Sequence, residues 1–407
     1  MRKVLSRKHE AKRKRRKIVE QSRKKILWLC SWYPSKMDLF NGDFIQRHAK
    51  AAAAFNDIYV IYVAGDITGQ ISKKEKEIRK SEGLTEHIVY FPASNSLAGR
   101  IRRHFNYLFI FKQAIRRYMV ENGKPDLVHV HVPMKAGLLA LWLKKRYSIP
   151  FILTEHYGIY NDQAGEDSYL KRSAVYRNYT RKIVKQAALL VSVSKFLAEG
   201  VNRMVTKISY LLVPNAIDTE LFFFNPEGQT GFRFIHVSNM VSLKNAEGIL
   251  RSFKEFIRSG GKATLIMVGN SDNKLPDYAN SIGLTADSVC FKGVVSYQQV
   301  ATEMRMSDCL ILFSNIENSP CVIGEALCCG LPVISSNVGG VPELVNNENG
   351  VLVDPGNENE LVTAMKKIVS DSQGYDRKRI AEIASHKFSY SVTGEQFDRI
   401  YNKILSL

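Results

Sequence analysis

A chain of 407 residues, 45% of them hydrophobic, is long enough for two separate cores, and it contains no run of about 18 apolar residues that would cross a bilayer. Its formal charge of +19 is concentrated in two places: residues 1–25 hold thirteen Lys/Arg against Glu10 and Glu20, and residues 100–118 add six with no acid, together +17. The rest is nearly neutral, which argues against a nucleic-acid-binding surface spread over the whole chain, and no specific nucleic acid is expected as a partner.

The basic N-terminus lacks the apolar stretch and cleavage site of a secretory signal. Six cysteines, Cys30, Cys290, Cys309, Cys321, Cys328 and Cys329, fall in apolar runs without paired metal-ligand spacing. They read as buried reduced thiols, and the expected location is cytoplasmic. After the tail, KKILWLCSWYPS predicts a first strand running into a loop, and LFNGDFIQRHAKAAAAF carries Gly42, with Asp43 as a helix cap. Strand-like runs follow at DIYVIYVA, HIVYFPA, DLVHVHV, PFILTEH, ALLVSVS and SYLLVPN, with helices predicted over 100–121 and 169–186. His129 and His131 alternate along DLVHVHV and share one face, where packing is expected. Alternation of strands and helices at these lengths argues for a parallel sheet covered on both faces.

The pattern pauses over 216–231 and restarts with FRFIHVSN, ATLIMVGN, VCFKGVV, DCLILFS, LPVISSN and GVLVDP, separated by helices predicted at 244–259, 296–306 and 358–370 and by one containing Glu325. The expected organisation is therefore a basic tail at 1–24, disordered or on a membrane surface; a Rossmann-like domain at 25–217; a second at 218–388; and a helix at 389–407. Within the second domain, DCLILFS feeds a loop with Glu317, then Ser319-Pro320 at a helix start, with Glu325 about two turns in and Gly339-Gly340 beyond the next strand. Free N–H groups at such a start, with the helix dipole behind them, attract a phosphate, and the two carboxylates flank it as acceptors for hydroxyls. Taken singly, Glu325 also reads as a solvated helix acid and Glu317 as an ordinary loop acid.

The whole string from Ser314 to Glu343 resembles the nucleotide-sugar signature of retaining GT-B glycosyltransferases of family four. That resemblance implies two Rossmann-like domains facing a cleft, with the terminal helix crossing back onto the first. It implies that Glu325 holds the nucleotide ribose, and that Glu317 with Ser319, Pro320, Cys321 and Val322 meets the donor sugar and diphosphate. In VSNMVSLKN, Lys244 matches the family's diphosphate lysine, whereas Asn239 stands where an arginine is usual, so that either Lys292 or Arg47 substitutes as a cation or the donor is held less tightly. His156, after the strand PFILTEH, is placed by the resemblance beside the transferred sugar, and Gly42 in the loop that closes over the diphosphate. Asn215 falls at the hinge as a structural residue; Glu343 has no assigned role.

No Asp-x-Asp, G-x-G-x-x-G, P-loop or Gly-x-Ser-x-Gly occurs. Neither a metal nor a cofactor is expected, only a nucleotide-diphosphate sugar as donor and a glycan or lipid-linked acceptor. The resemblance implies retention of anomeric configuration, in cell-surface polysaccharide or lipopolysaccharide synthesis. Rival readings are a nucleotide-sugar epimerase of the same architecture and a non-catalytic basic scaffold. Residues 1–25 and 100–118 suggest an anionic membrane surface as a further partner on the inner face of the cytoplasmic membrane.

Overall fold

The computed structural model describes residues 23–226, 231–269 and 272–407. In the first lobe β1 (Lys25–Cys30), β2 (Asp57–Asp66), β3 (Glu75–Ser81), β4 (Leu84–Pro92), β5 (Leu127–His131), β6 (Phe151–Glu155), β7 (Leu190–Ser192) and β8 (Tyr210–Leu212) lie in the order β3-β4-β2-β1-β5-β6-β7-β8. Neighbours are parallel except β3, which returns antiparallel on β4. In the second lobe β9 (Arg233–Val237), β10 (Thr264–Val268), β11 (Val289–Gly293), β12 (Cys309–Leu312), β13 (Val333–Ser336) and β14 (Gly350–Val353) form an all-parallel sheet, order β11-β10-β9-β12-β13-β14. Strand order reverses at β1 and at β9, so the loops leaving these strands open where such sheets receive ligands.

Helices cover both faces of each sheet, which is why the strands read as unbroken apolar runs. The first lobe has α1 (Asp43–Ala53), α2 (Leu97–Asn122), α3 (Ala136–Tyr147), α4 (Ala174–Gln186) and α5 (Lys195–Met204). The second has α6 (Ala246–Arg258), α7 (Lys274–Ser281), α8 (Tyr297–Arg305), α9 (Cys321–Cys328), α10 (Glu358–Ser370) and α11 (Arg377–Phe388). The final helix, α12 (Tyr390–Leu405), returns to the first lobe, where Phe397, Ile400, Tyr401 and Ile404 pack with Ile26, Trp28 and Cys30 of β1. Gly394 allows the approach: a Cβ there would stand 2.2 Å from the Ala51 carbonyl oxygen of α1.

Several expectations need correction. The strand Glu75–Ser81 is hidden in the sequence because an edge strand pairs on one side only and tolerates charge along its exposed row. Tyr169–Lys171 is a separate 3-10 turn, and α4 starts after Ser173, whose hydroxyl accepts the Tyr176 N–H. Asp43 is not a cap; Gly42 occupies that position, and the Asp43 carboxylate accepts from Arg47 instead. Residues 1–22 of the basic tail lie outside the described residues, but Arg23 and Lys24 are packed, bonding Asp57 and Asp398. On α2 the inward face is Tyr107, Ile110, Phe111, Ala114, Ile115 and Tyr118. Ile101 and Phe105, apolar though they are, face outward with Leu97 and Phe109.

Imidazoles are abundant beneath the cleft. His129 bonds the Tyr401 hydroxyl and Thr154, and His131 stacks on Trp28, so both are packing residues as their shared face suggests. Burial lowers His48 and His236 to about 4 and holds His129, His131 and His156 well below the ordinary value. The unfolded chain charges these five near pH 6.5 while the fold keeps them neutral. Each therefore withdraws up to about 1.4 kcal/mol of stability per pH unit as pH drops below 6.5. Buried Glu155, pushed up to about 7, acts in the opposite sense, since its protonation favours the folded form. Five groups outweigh one: the thermal midpoint, followed by circular dichroism, is expected to fall steadily from pH 7 to pH 5. A flat or rising profile would contradict the burial of these rings.

Candidate active site

Strand β12 is fully buried and ends in the loop 313–320, whose path is set by backbone contacts on both sides. The Asn315 N–H donates to the Leu243 carbonyl at 2.8 Å. Gly339, with φ of 55°, would place a Cβ 1.8 Å from the Glu317 carbonyl oxygen, and a Cβ on Gly340 would lie 2.1 Å from that of Asn318. Only glycines let this turn lie flat against the loop, so their role is conformational. The loop aims Glu317 at Lys244, on the 3-10 turn Ser242–Lys244 after β9, with Nζ 2.6 Å from Oε1. Two residues 73 apart in sequence thus form one half-buried ion pair at the carboxyl edge of the sheet.

Helix α9 begins at Cys321, with Pro320 as its N-cap, one position before the place expected for it. Ser319, Pro320, Cys321 and Val322 are half-buried along this start, and the Ser319 carbonyl accepts from Asn215 Nδ2 at 2.9 Å, a structural bond. Burial pushes the Cys321 thiol up to about 12, which leaves it a neutral packing group. Glu325 is not a solvated helix acid: its Oε1 accepts from Arg47 Nη1 at 2.6 Å and from the Tyr297 hydroxyl at 2.7 Å. Arg47 comes from α1 in the other lobe, and its Nη2 donates to Asp43 at 2.7 Å.

The residues weighed as replacements for the arginine at position 239 separate clearly. Asn239 itself is exposed, in a turn held by Ser238, whose hydroxyl meets His236 and the Met240 N–H. Lys292 is held by Glu303 at 3.1 Å, the acid that also pairs with Arg233. Arg47 reaches the site but is engaged with Glu325.

In the first lobe β6 delivers His156 into the same region. Its Nε2 lies 3.3 Å from His131 Nδ1, its Nδ1 has no partner among the described residues, and its ring packs against Phe44. The backbone N–H groups of His156 and Tyr157 both donate at 2.8 Å to buried Glu155, which shapes the turn. The His156 carbonyl accepts from Asn318 Nδ2 at 3.1 Å, tying this turn to the Glu317 loop across the lobes. Gly42, left-handed at φ of 72°, caps α1 where a Cβ would crowd the Trp32 backbone. His48 faces inward and meets the Pro214 carbonyl.

Sequence reasoning missed Tyr297, Asn318 and Glu155, and it left Glu343 without a role. Glu343 accepts the N–H groups of Lys195 and Phe196 at 2.8 Å each, so a second-lobe carboxylate caps first-lobe helix α5. The only signal available was the acid's place just after the glycine turn.

Residues 218–387 match the model described as glycosyl transferases group 1, and residues 45–221 match glycosyltransferase family 4. A Bacillus subtilis protein named for teichuronic acid biosynthesis, TuaC, is 24% identical over 399 residues, spanning 92% of this chain and 95% of its own. Among solved structures, sucrose-phosphate synthase from Thermosynechococcus elongatus superposes with a TM-score of 0.74 at 18% identity, covering 94% of this chain and all of that one. Anabaena HepE, solved with UDP, gives 0.69 at 18% identity over 93% of this chain and all of its own, and it has also been solved with UDP-glucose. Both solved structures share the two-lobe arrangement described above. The two family models account for the chain from residue 45 to residue 387, and the chain belongs to the group 1 glycosyltransferases with the GT-B fold.

Proposed function

We propose that this glycosyltransferase moves a hexose-type sugar from a nucleoside-diphosphate sugar to a glycan or lipid-linked acceptor, with retention and without a metal. The observation that carries the reading is the convergence of Lys244, Glu317 and the start of α9 at one sheet edge, with Glu325 one turn deeper. The binding of UDP and UDP-glucose by HepE supports a nucleotide-sugar donor, and the relationship to TuaC supports a cell-surface polysaccharide pathway.

In this reading the diphosphate meets the Lys244 ammonium and the N–H groups of Cys321 and Val322, which oppose the negative charge that grows as the glycosidic bond breaks. Because these groups act most strongly on the departing phosphate, they lower the barrier rather than merely tighten binding. Neutral His156 lies beside the sugar as a hydrogen-bonding group, not as an acid or base that titrates near neutral pH. Glu317 already shares its Oε1 with Lys244, which suits holding the lysine and a sugar hydroxyl better than covalent attack on the anomeric carbon. The acceptor then approaches on the leaving-group face and passes its proton to the departing phosphate.

The outward side of α2 supports a membrane-surface partner. Leu97, Ile101, Phe105 and Phe109 are exposed at four-residue intervals, with Arg102, Lys112 and Arg116 on the same side of the helix. An apolar row flanked by cations suits the boundary of an anionic bilayer, where a lipid-linked acceptor would be presented.

Four outcomes are expected. In a thermal-shift panel of UDP-, GDP- and ADP-sugars with EDTA present, one nucleotide stabilises the protein, and Lys244→Ala abolishes that shift. If no member of the panel shifts the wild type, the donor reading fails. Glu317→Gln lowers kcat about 10- to 100-fold, roughly 1.4–2.7 kcal/mol, without abolishing turnover. Mass spectrometry of the wild type with donor detects no glycosyl adduct on Glu317; an adduct there would replace the mechanism with a covalent one. The protein sediments with vesicles containing phosphatidylglycerol but not with phosphatidylcholine alone, more weakly in high salt, and the double variant Phe105→Ser/Phe109→Ser sediments less. Binding indifferent to both lipid and salt would remove the membrane partner.

A further inference from the structure

Glu325 is the carboxylate that the resemblance assigns to the donor's ribose, and in this structure it is held by Arg47 of the opposite lobe. Both its partners converge on one oxygen, Oε1: Arg47 Nη1 at 2.6 Å and the Tyr297 hydroxyl at 2.7 Å. Its other oxygen has no partner among the described residues. Arg47 is itself fixed at several points. Nη2 bonds Asp43 one turn earlier, Nη1 also lies 2.7 Å from the Tyr297 hydroxyl, and the guanidinium is 5.3 Å from the Tyr297 ring centre. Both members of the pair keep about 7% of their side-chain surface. Tyr297 is oriented in turn from the start of α8, where Ser296 and Gln299 form a reciprocal cap.

We propose that Arg47 is the positioning residue for ribose recognition. From the first lobe it clamps Oε1 of Glu325, with Tyr297 as the second finger, and so presents Oε2 to the hydroxyl pair of the donor's ribose. The inference rests on the reading that Glu325 receives the ribose. A carboxylate on a helix has several free torsions; two donors on a single oxygen select one rotamer and leave the other oxygen's lone pairs for the sugar. The guanidinium also supplies the compensating charge that a carboxylate needs in so enclosed a place. Since the clamp comes from one lobe and the carboxylate from the other, the ribose site is complete only where the lobes meet.

The test uses the full-length protein and the nucleoside diphosphate that stabilises it most, together with its 2′-deoxy and 3′-deoxy forms, with affinities measured by titration calorimetry. The wild type is expected to prefer the ribose form over at least one deoxy form by about tenfold or more, the worth of one charge-assisted hydrogen bond. Arg47→Met is expected to bring that preference below about twofold, Arg47→Lys to keep part of it because the charge persists without the fork, and Tyr297→Phe to weaken it with packing intact. Because Arg47 acts through Glu325, adding Arg47→Met to Glu325→Gln should cost no further discrimination. Retention of the full ribose preference in both Arg47→Met and Tyr297→Phe would overturn the assignment while leaving donor binding in place. Should the wild type bind nucleoside diphosphates without distinguishing the deoxy forms, Glu325 is not the ribose acceptor and the inference falls with it. Should no nucleoside diphosphate bind, the donor reading itself is what fails. If Arg47→Met does not fold, Tyr297→Phe decides alone.

Discussion

A guanidinium and a carboxylate removed from water between two sheets form the interaction on which the rest of this molecule turns. Burying such a pair is costly, and the cost is offset only where geometry is good and the remaining donors and acceptors are satisfied. For Arg47 and Glu325 it is offset in part through Asp43 and Tyr297, which complete a short network spanning both lobes, while Arg47 Nε and Glu325 Oε2 have no partner among the described residues. Losing one member would leave a charge uncompensated, an effect of about 3–5 kcal/mol in comparable buried pairs. Further hydrogen bonds join the lobes: Asn318 on the His156 carbonyl, Asn215 on the Ser319 carbonyl, and Glu343 on the start of α5. Polar bonds of this kind are exchangeable with water, unlike an apolar seam. The arrangement therefore suits lobes that part and rejoin about the chain crossing near Ile217 and Ser389, where a parallel bridge and the Ser389 cap mark the second passage.

The architecture was largely legible in the sequence, because a strand covered on both faces must be apolar throughout and the helices between strands keep an amphipathic period. What escaped were elements under weaker constraint. Glu75–Ser81 pairs along one edge only, so charge is tolerated and no apolar run marks it. In α2 the apolar positions form two rows, one buried and one exposed, and periodicity alone does not say which row faces the core.

For the candidate site, the local part could be read and the distant part could not. Glu317, the start of α9, Glu325 and the glycine pair lie within one short string, and Lys244 follows its strand at a recognisable spacing. Arg47 and Glu325 are 278 residues apart, Asn318 and the His156 carbonyl 162, and Glu343 and Lys195 148. No periodicity relates such positions; they meet because two sheets place their carboxyl edges face to face. The same reason explains why Asp43, a plausible cap by sequence, is used instead to hold Arg47.

The charges near the cleft bear on the asparagine at position 239. Lys244 is neutralised by Glu317, and Arg47 by Glu325 and Asp43, so these five side chains carry two cations against three anions. A diphosphate entering as proposed would meet no uncommitted cation among them. In the proposed reading its charge would be met by Lys244 turning from Glu317 toward it and by the N–H groups at the start of α9, whose dipole needs no counterion to release. A bidentate arginine at 239 would have supplied a free positive charge and a fixed fork. With asparagine there, the proposed donor reading puts more of the recognition on backbone donors and on the ribose end of the donor. Under that reading Glu325 would contribute more of the selectivity than it would beside two phosphate-binding cations. The orientation of its carboxylate, and so the proposed clamp from the opposite lobe, would then be the tighter constraint in this chain.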